Sequence, residues 1–280
     1  MGALVANESV SGKSILVTGG GSGIGLGIAA ALVADGATVT IAGRSQERLD
    51  TAAAGLSGAG AVHTVSTDIT DEDQVAAAVA AAAAHTGRLD GVVACAGGSE
   101  TIGPVTQIDS AAWRNTVDLN INGTMYTLKH AARELVRGGG GSFVAISSIA
   151  ASNTHRWFGA YGVTKSGVDH LVRLGADELG ASNVRVNGIR PGLTRTELVQ
   201  IVLDSPELSG DYREATPLPR VGEVADIAAL AVFLLGDSSS WITGQIINVD
   251  GGQMLRRGPD YSSMLEGVFG ADGLRGVVEA

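Results

Sequence analysis

Three side chains of the sequence could together move a proton. Tyr161 and Lys165 stand four residues apart, a spacing that places both on one face of a helix. A phenol with an ordinary pKa of about 10 is a poor base at neutral pH. A nearby ammonium favours the phenolate and brings the proton within reach. A Tyr-x-x-x-Lys pair is common by chance, so its meaning depends on what lies near it. Ser148 lies thirteen residues before Tyr161, just after a β-branched run. In a doubly wound sheet, strand ends of that kind face the ligand crevice, where a hydroxyl and the helix carrying Tyr161 can converge. The bland alternative for Ser148 is a hydroxyl bonded to local backbone.

A second group of residues reads as an anion cradle. The run Thr18-Gly19-Gly20-Gly21-Ser22-Gly23-Ile24-Gly25 joins an apolar strand to an alanine-rich helix. Glycines there allow a tight turn and let backbone approach a diphosphate, while the helix N-terminus offers unpaired N–H groups. The spacing, Gly19 then Gly23 and Gly25, is G-x-x-x-G-x-G and not plain G-x-G-x-x-G. Dinucleotide sites that take NAD place a carboxylate at the end of the second strand, against the ribose 2′-hydroxyl. Here that point reads Ala42-Gly43-Arg44-Ser45. A guanidinium can pair a 2′-phosphate, which favours NADP(H) and leaves NAD(H) possible. Ser22 supplies no second cation, and Arg44 also reads as an ordinary solvated arginine at a helix start.

These residues need a scaffold, and the chain is able to build one. It has 280 residues, 45% hydrophobic and 17% charged, so one large α/β domain with a substantial core is expected over 1–280. Aromatic residues are only 4%, so that core must be made of small aliphatics packed closely. The net charge of -10, without clustered Lys and Arg, argues against a nucleic-acid partner and for a small-molecule one. Cys95 is the single cysteine, so an internal disulfide is excluded, and no Cys/His set has metal-ligand spacing. Residues 1–12 do not read as a signal peptide, and no window is long and apolar enough for a membrane span. A cytoplasmic protein is the expectation.

The pattern along the chain is strand–helix alternation. Strands are predicted at 14–18, 38–42, 61–65, 91–95, 142–147, 184–189 and 245–249. Helices are predicted at 23–34, 46–54, 71–85, 110–137 with a break near 120–123, 158–179 and 223–235. The stretch 194–220, with Pro206, Pro217 and Pro219, reads as irregular, and four glycines at 138–141 read as a connector. Such alternation predicts a parallel sheet covered by helices on both faces.

Taken together, Thr18-Gly19-x-x-x-Gly23-x-Gly25, Asp68, Asn120, Ser148, Tyr161-x-x-x-Lys165 and Pro191-Gly192 resemble the short-chain dehydrogenase/reductase family over residues 12–252. The resemblance implies a Rossmann-type doubly wound three-layer sandwich with a seven-stranded parallel sheet. It implies an oxidoreductase that interconverts a carbonyl and a secondary alcohol by hydride transfer. Tyr161 would be its acid/base, Ser148 the partner of the substrate oxygen, and Lys165 the residue that binds the nicotinamide ribose and lowers the tyrosine pKa. Asn120, favoured over Asn122 by its spacing to Gly123, would support a water in the proton relay. The dinucleotide would lie on Gly19, Gly21, Ser22, Gly23, Ile24, Gly25 and Arg44. Asp68, otherwise a plain helix N-cap, would meet the adenine together with Ile69. Cys95, Ala96 and Gly97 would line the ribose, and Pro191, Gly192, Thr194 and Thr196 the nicotinamide carboxamide. One departure is Cys95-Ala96-Gly97 where the family has Asn-Ala-Gly; a side-chain hydrogen bond that steadies the sheet would be lost, and Cys95 reads as an inert small hydrophobe.

Two stretches would set the substrate. One is 153–158, with His155, Arg156, Trp157 and Phe158; the other is 193–219, which resembles the family's substrate lid. His155 and Arg156 could meet an acidic or thioester substrate, or pack at a subunit contact. The resemblance also implies a homotetramer, with the 253–280 tail capping a neighbouring site. The alternatives in the same fold are reduction of a β-ketoacyl or enoyl thioester and a non-catalytic nucleotide sensor.

Overall fold

The computed structural model describes residues 10–256 and, beyond them, 266–267 and 270–272. Seven strands form one sheet: β1 Ser14–Thr18, β2 Thr38–Gly43, β3 Ala61–Ser66, β4 Gly91–Ala94, β5 Gly141–Ile146, β6 Val184–Pro191 and β7 Ile246–Val249. Their order is β3-β2-β1-β4-β5-β6-β7, and every neighbouring pair is parallel. The chain first winds outward from β1 to β3, then crosses to β4 on the other side of β1. That reversal opens a crevice at the carboxyl ends of β1 and β4.

Parallel strands covered on both faces must be apolar on both, and β1, Ser-Ile-Leu-Val-Thr, is buried throughout. Its alternate residues serve different layers. Ile15 and Val17 pack with Ile28, Leu32, Ile227 and Leu234, which belong to α1 (Gly23–Ala34) and α9 (Val224–Leu235). Leu16 packs on the opposite face with Val79, Leu135 and Val172, from α3 (Glu72–Ala84), α5 (Gly123–Arg137) and α6 (Ala160–Leu179). Helix α2, Gln46–Gly55, adds Leu49 to the first layer. The expected three-layer sandwich is therefore the architecture found. Its core is as poor in rings as the composition requires: Phe143 is the one aromatic among the largest fully buried side chains of the described residues.

Several boundaries differ from the sequence pattern for physical reasons. Residues 110–137 are interrupted at the expected place, but by a π-helical turn, Asp118–Asn122, between α4 (Ser110–Val117) and α5. Turns of that kind insert an extra residue and turn a side chain inward, and Asn120 is the residue turned inward, 1% exposed. Helix α6 begins at Ala160 and not at 158, because Gly159 has φ 54°. The stretch 194–220 is not irregular. It contains α7 (Gln200–Leu203) and α8 (Pro206–Ala215). Pro206 was the misleading residue: it occupies the first turn of α8, where proline is favoured, behind the Ser205 cap. The reading of residues 1–12 and of the tail falls largely outside the described residues. Among these, no helix is long and apolar enough to cross a membrane.

The single large ring in a tightly packed small-residue core gives a clear expectation. Phe143→Ala should destabilise the protein by about 3–5 kcal/mol through lost burial and the cavity left behind, read from urea denaturation midpoints.

Candidate active site

The glycine loop folds back under itself. Gly19 has φ 69°, and a Cβ there would come within 2.8 Å of Ala96 N; a Cβ on Gly25 would come within 2.2 Å of Gly19 O. Neither position has room for a side chain, so the loop lies flat on the start of α1. Ser22 caps that helix without a side-chain bond and is exposed. The first-turn N–H groups of α1, at Gly23, Ile24 and Gly25, thus open onto the crevice. Thr196 hangs over them, its methyl 3.5 Å from where a Gly23 side chain would begin.

The loop is tied to β4 by a residue whose side chain the sequence did not single out. Thr18 Oγ1 accepts from Cys95 N at 3.2 Å and from Ala96 N at 3.3 Å. The hydroxyl steadies the strand ends where Cys95 replaces the family's asparagine. Burial pushes the Cys95 thiol up to about 11, so it stays neutral and unreactive at pH 7.

Arg44 follows β2 and is exposed, its carbonyl accepting from Ser66 Oγ at 3.2 Å. Arg48 lies one turn into α2, 3.6 Å from Glu197, and brings a second cation near this edge. Asp68 is not a helix cap: Asp71 caps α3. Asp68 Oδ1 instead accepts from Thr70 N at 2.9 Å and Thr70 Oγ1 at 2.8 Å, and Ile69 is buried against Gly123. At the far side, Pro191 ends β6, Gly192 N donates to Val249 O at 3.0 Å, and Thr194 Oγ1 donates to Gly192 O at 3.0 Å.

Tyr161, Lys165, Ser148 and Asn120 converge at the ends of β4 and β5. Asn120 Nδ2 donates to Gly98 O at 2.7 Å and to Thr164 Oγ1 at 2.9 Å, and its Oδ1 accepts from Gly98 N at 3.0 Å. Thr164 Oγ1 in turn donates to Tyr161 O at 2.8 Å. This chain of bonds sets the first turn of α6 against the loop after β4. Ser148 Oγ accepts from Ala150 N at 3.1 Å, the local bond foreseen as its bland role, and stands close enough to the Tyr161 phenol to lower its pKa. Lys165, 5% exposed, donates from Nζ to Ile146 O at 2.8 Å, and its Nζ lies 5.7 Å from the centre of the Tyr161 ring.

The electrostatics differ in part from the expected division of labour. Burial raises the Tyr161 phenol above its ordinary value, and the group that opposes this is the Ser148 hydroxyl. Burial also pulls the Lys165 ammonium down to about 8, opposed by negative charge at Cys95 and Asp169. With the thiol neutral at pH 7, the supporting charge is Asp169. That carboxylate lies one turn beyond Lys165 and is held by Arg190 at 2.5 Å. The sequence pattern gave no reason to look at Asp169 or Thr164; only the packing of α6 on β6 and on the π turn reveals them.

The comparisons with known proteins agree with this fold. A family model described as enoyl-(acyl carrier protein) reductase matches residues 19–254. The cis-4-hydroxycyclohexanecarboxylate dehydrogenase of Sinomonas cyclohexanicum is 36% identical over 246 residues, 88% of this chain and 98% of that protein. The chain belongs to the short-chain dehydrogenase/reductase family. The 7alpha-hydroxysteroid dehydrogenase of Escherichia coli K12 is 33% identical, covering 88% of this chain and 96% of its own. A solved short-chain type dehydrogenase/reductase from Mycobacterium ulcerans superposes with a TM-score of 0.88 at 67% identity, covering 96% of this chain and all of its own. This short-chain dehydrogenase/reductase is thus an oxidoreductase of the CH–OH/C=O type that works with a nicotinamide dinucleotide. The crevice fits such a group, since Gly19 and Gly25 let the loop pack flat against its own backbone and leave the first-turn N–H groups of α1 for a diphosphate.

A lowered ammonium pKa has a measurable consequence. For a site in which Tyr161 works beside a charged Lys165, kcat/KM should fall on the alkaline side near pH 8. Asp169→Asn removes the supporting charge and should move that limb to lower pH, with circular dichroism checking that the fold survives loss of the Arg190 pair.

Proposed function

We propose that this enzyme interconverts a carbonyl and a secondary alcohol with NADP(H), Tyr161 being the acid/base. The observation that carries the reading is the convergence on the Tyr161 phenol of Ser148, whose hydroxyl lowers its pKa, and of the Lys165 ammonium, 5.7 Å from the ring centre. When bound, the nicotinamide supplies or accepts the hydride. Ser148 Oγ and Tyr161 Oη hold the substrate oxygen from two directions and polarise it. In reduction Tyr161 delivers its proton to that oxygen; in oxidation it removes one, and Ser148 stabilises the phenolate. Lys165 binds the nicotinamide ribose and keeps positive charge beside the phenol. Asn120 is a positioning residue here: its amide is committed to Gly98 and Thr164, and it would support a relay water by fixing the loop after β4 against the first turn of α6.

The remaining contacts follow the crevice. The loop from Gly19 through Gly21, Ser22, Gly23 and Ile24 to Gly25 takes the diphosphate. Asp68 and Ile69 take the adenine, the backbone of Cys95, Ala96 and Gly97 the ribose, and Pro191, Gly192, Thr194 and Thr196 the carboxamide. The absence of a carboxylate in the Gly43-Arg44-Ser45 turn favours the 2′-phosphate, and Arg44 and Arg48 supply cations for it. NAD(H) is the weaker partner. A second reading, reduction of an enoyl thioester, draws on the description of the matching family model; the complete Ser148, Tyr161 and Lys165 set favours a carbonyl, which leaves a β-ketoacyl thioester among the carbonyl substrates to be screened. A homotetramer is part of the proposal, supported by Trp241 at 99% and Phe233 at 41% exposure, apolar surface that a partner would cover.

The test is an NADPH and NADH oxidation screen over ketones, quinones, steroids and β-ketoacyl thioesters. On the best substrate Tyr161→Phe should lose about 10²–10⁴-fold in kcat; full turnover would sink the mechanism. Arg44→Asp should lower the NADPH/NADH preference by about tenfold or more, the worth of a charged hydrogen bond. An unchanged ratio would mean that Arg44 is merely solvated.

A further inference from the structure

We propose that the substrate of this site is a ring ketone or ring alcohol of low polarity, selected by Tyr212 and His155. The proposal rests on the carbonyl–alcohol reading of Tyr161. Aromatic residues are scarce in this chain, only 4%, yet Trp157, Phe158, Tyr161 and Tyr212 gather at one place. The His155 ring lies 6.3 Å from that of Tyr212 and 5.7 Å from that of Phe158. Phe158 meets Tyr161 edge to face at 5.2 Å, a geometry that ring quadrupoles favour. A continuous row of rings therefore leads from α8 to the phenol that handles the proton.

The row is assembled from two distant parts of the chain. His155, Phe158 and Tyr161 come from the turn before α6 and its first residues; Tyr212 comes from α8, in the lid segment. Local sequence does not force them together, so a shared task explains the arrangement better than chain neighbourhood. The turn itself is strained. Trp157 has φ 67°, which costs a bulky residue energy, and it is held there by Gly103 N, which donates to Trp157 O at 2.8 Å. Strain of this kind is kept where it aims neighbouring side chains.

The row offers a polyol few polar partners. His155 Nδ1 is engaged with Asn153 O at 2.8 Å, so the imidazole offers a ring face and a single remaining nitrogen. Tyr212 sits where burial and the Tyr161 phenol both raise its pKa; it stays neutral and acts as a wall and not as a base. Several hydroxyls laid against these faces would lose water and gain at most the Tyr212 hydroxyl and one imidazole nitrogen as partners. A saturated or aromatic ring loses little and gains flat contact. Arg156, which could have met an acidic group, instead lies over the Trp157 ring at 5.1 Å on the exposed side of the turn.

The experiment compares 2-decalone, 2-octanone and a linear polyhydroxy ketone in wild type, Tyr212→Ala, Tyr212→Phe and His155→Ala. Tyr212→Ala should raise the KM for 2-decalone about tenfold, with kcat changed by less than about threefold and a smaller KM rise for 2-octanone, as loss of one ring contact predicts. Tyr212→Phe should restore the wild-type KM. An equal KM rise for both ketones, or the polyhydroxy ketone as best substrate by kcat/KM, overturns the proposal. Binding of 2-decalol to NADP⁺-loaded Tyr161→Phe enzyme, followed by saturation-transfer NMR, separates this inference from the mechanism. Ring binding that persists there and disappears in Tyr161→Phe/Tyr212→Ala upholds it whatever the role of Tyr161. No ring binding defeats it and leaves Tyr161 to its own test.

Discussion

A buried ammonium constrains much of this structure. Lys165 is almost without water, and a charge in that position must be matched or it will be lost. The chain meets the demand with groups from three elements. The Ile146 carbonyl at the end of β5 accepts its hydrogen bond. Asp169, one turn along α6, supplies negative charge. Arg190 on β6 holds Asp169 through Nε at 2.9 Å and Nη2 at 2.5 Å. The site cation is thus supported by a second ion pair sunk between helix and sheet. One Asp169 oxygen, Oδ1, has no hydrogen-bond partner there, so the carboxylate is incompletely satisfied by Arg190 and its field reaches Lys165.

The same economy governs the neutral side of the site. A buried asparagine must spend its amide somewhere, and Asn120 spends it on Gly98 and Thr164. That choice ties the loop after β4 to the start of α6, the turn that carries the phenol. The π turn makes this possible: a regular helix over 110–137 would rotate the residues after the insertion and carry Asn120 away from the loop.

The frame of the molecule was legible because its signals are periodic or compositional. Short apolar runs with β-branched residues mark the seven strands, buried throughout in β1 and β4 and only half-buried in β3 and β7, and the glycine loop and the Tyr161–Lys165 spacing mark the crevice. What escaped depends on contacts between segments far apart in sequence. Thr18 looks like an unremarkable strand end until β4 is placed beside it. Asp169 reads as a solvated helix position until β6 brings Arg190. Pro206 reads as a breaker because proline is hostile within a helix, and only the Ser205 cap shows it to be a start. Tyr212 lies on that unrecognised helix, so its approach to His155 had no sequence signature.

The small-residue composition has a functional side as well. Alanine and glycine let helices lie close to the sheet, and the core needs few rings to fill its volume. Large flat side chains are therefore not consumed by packing and stand at the surface, where they can cover something else. Trp241, Phe233 and Trp157 are exposed, and Phe158 stands edge to face with Tyr161. In a protein whose interior is built from methyl groups, the placement of its few rings says more about what it meets than about what holds it together.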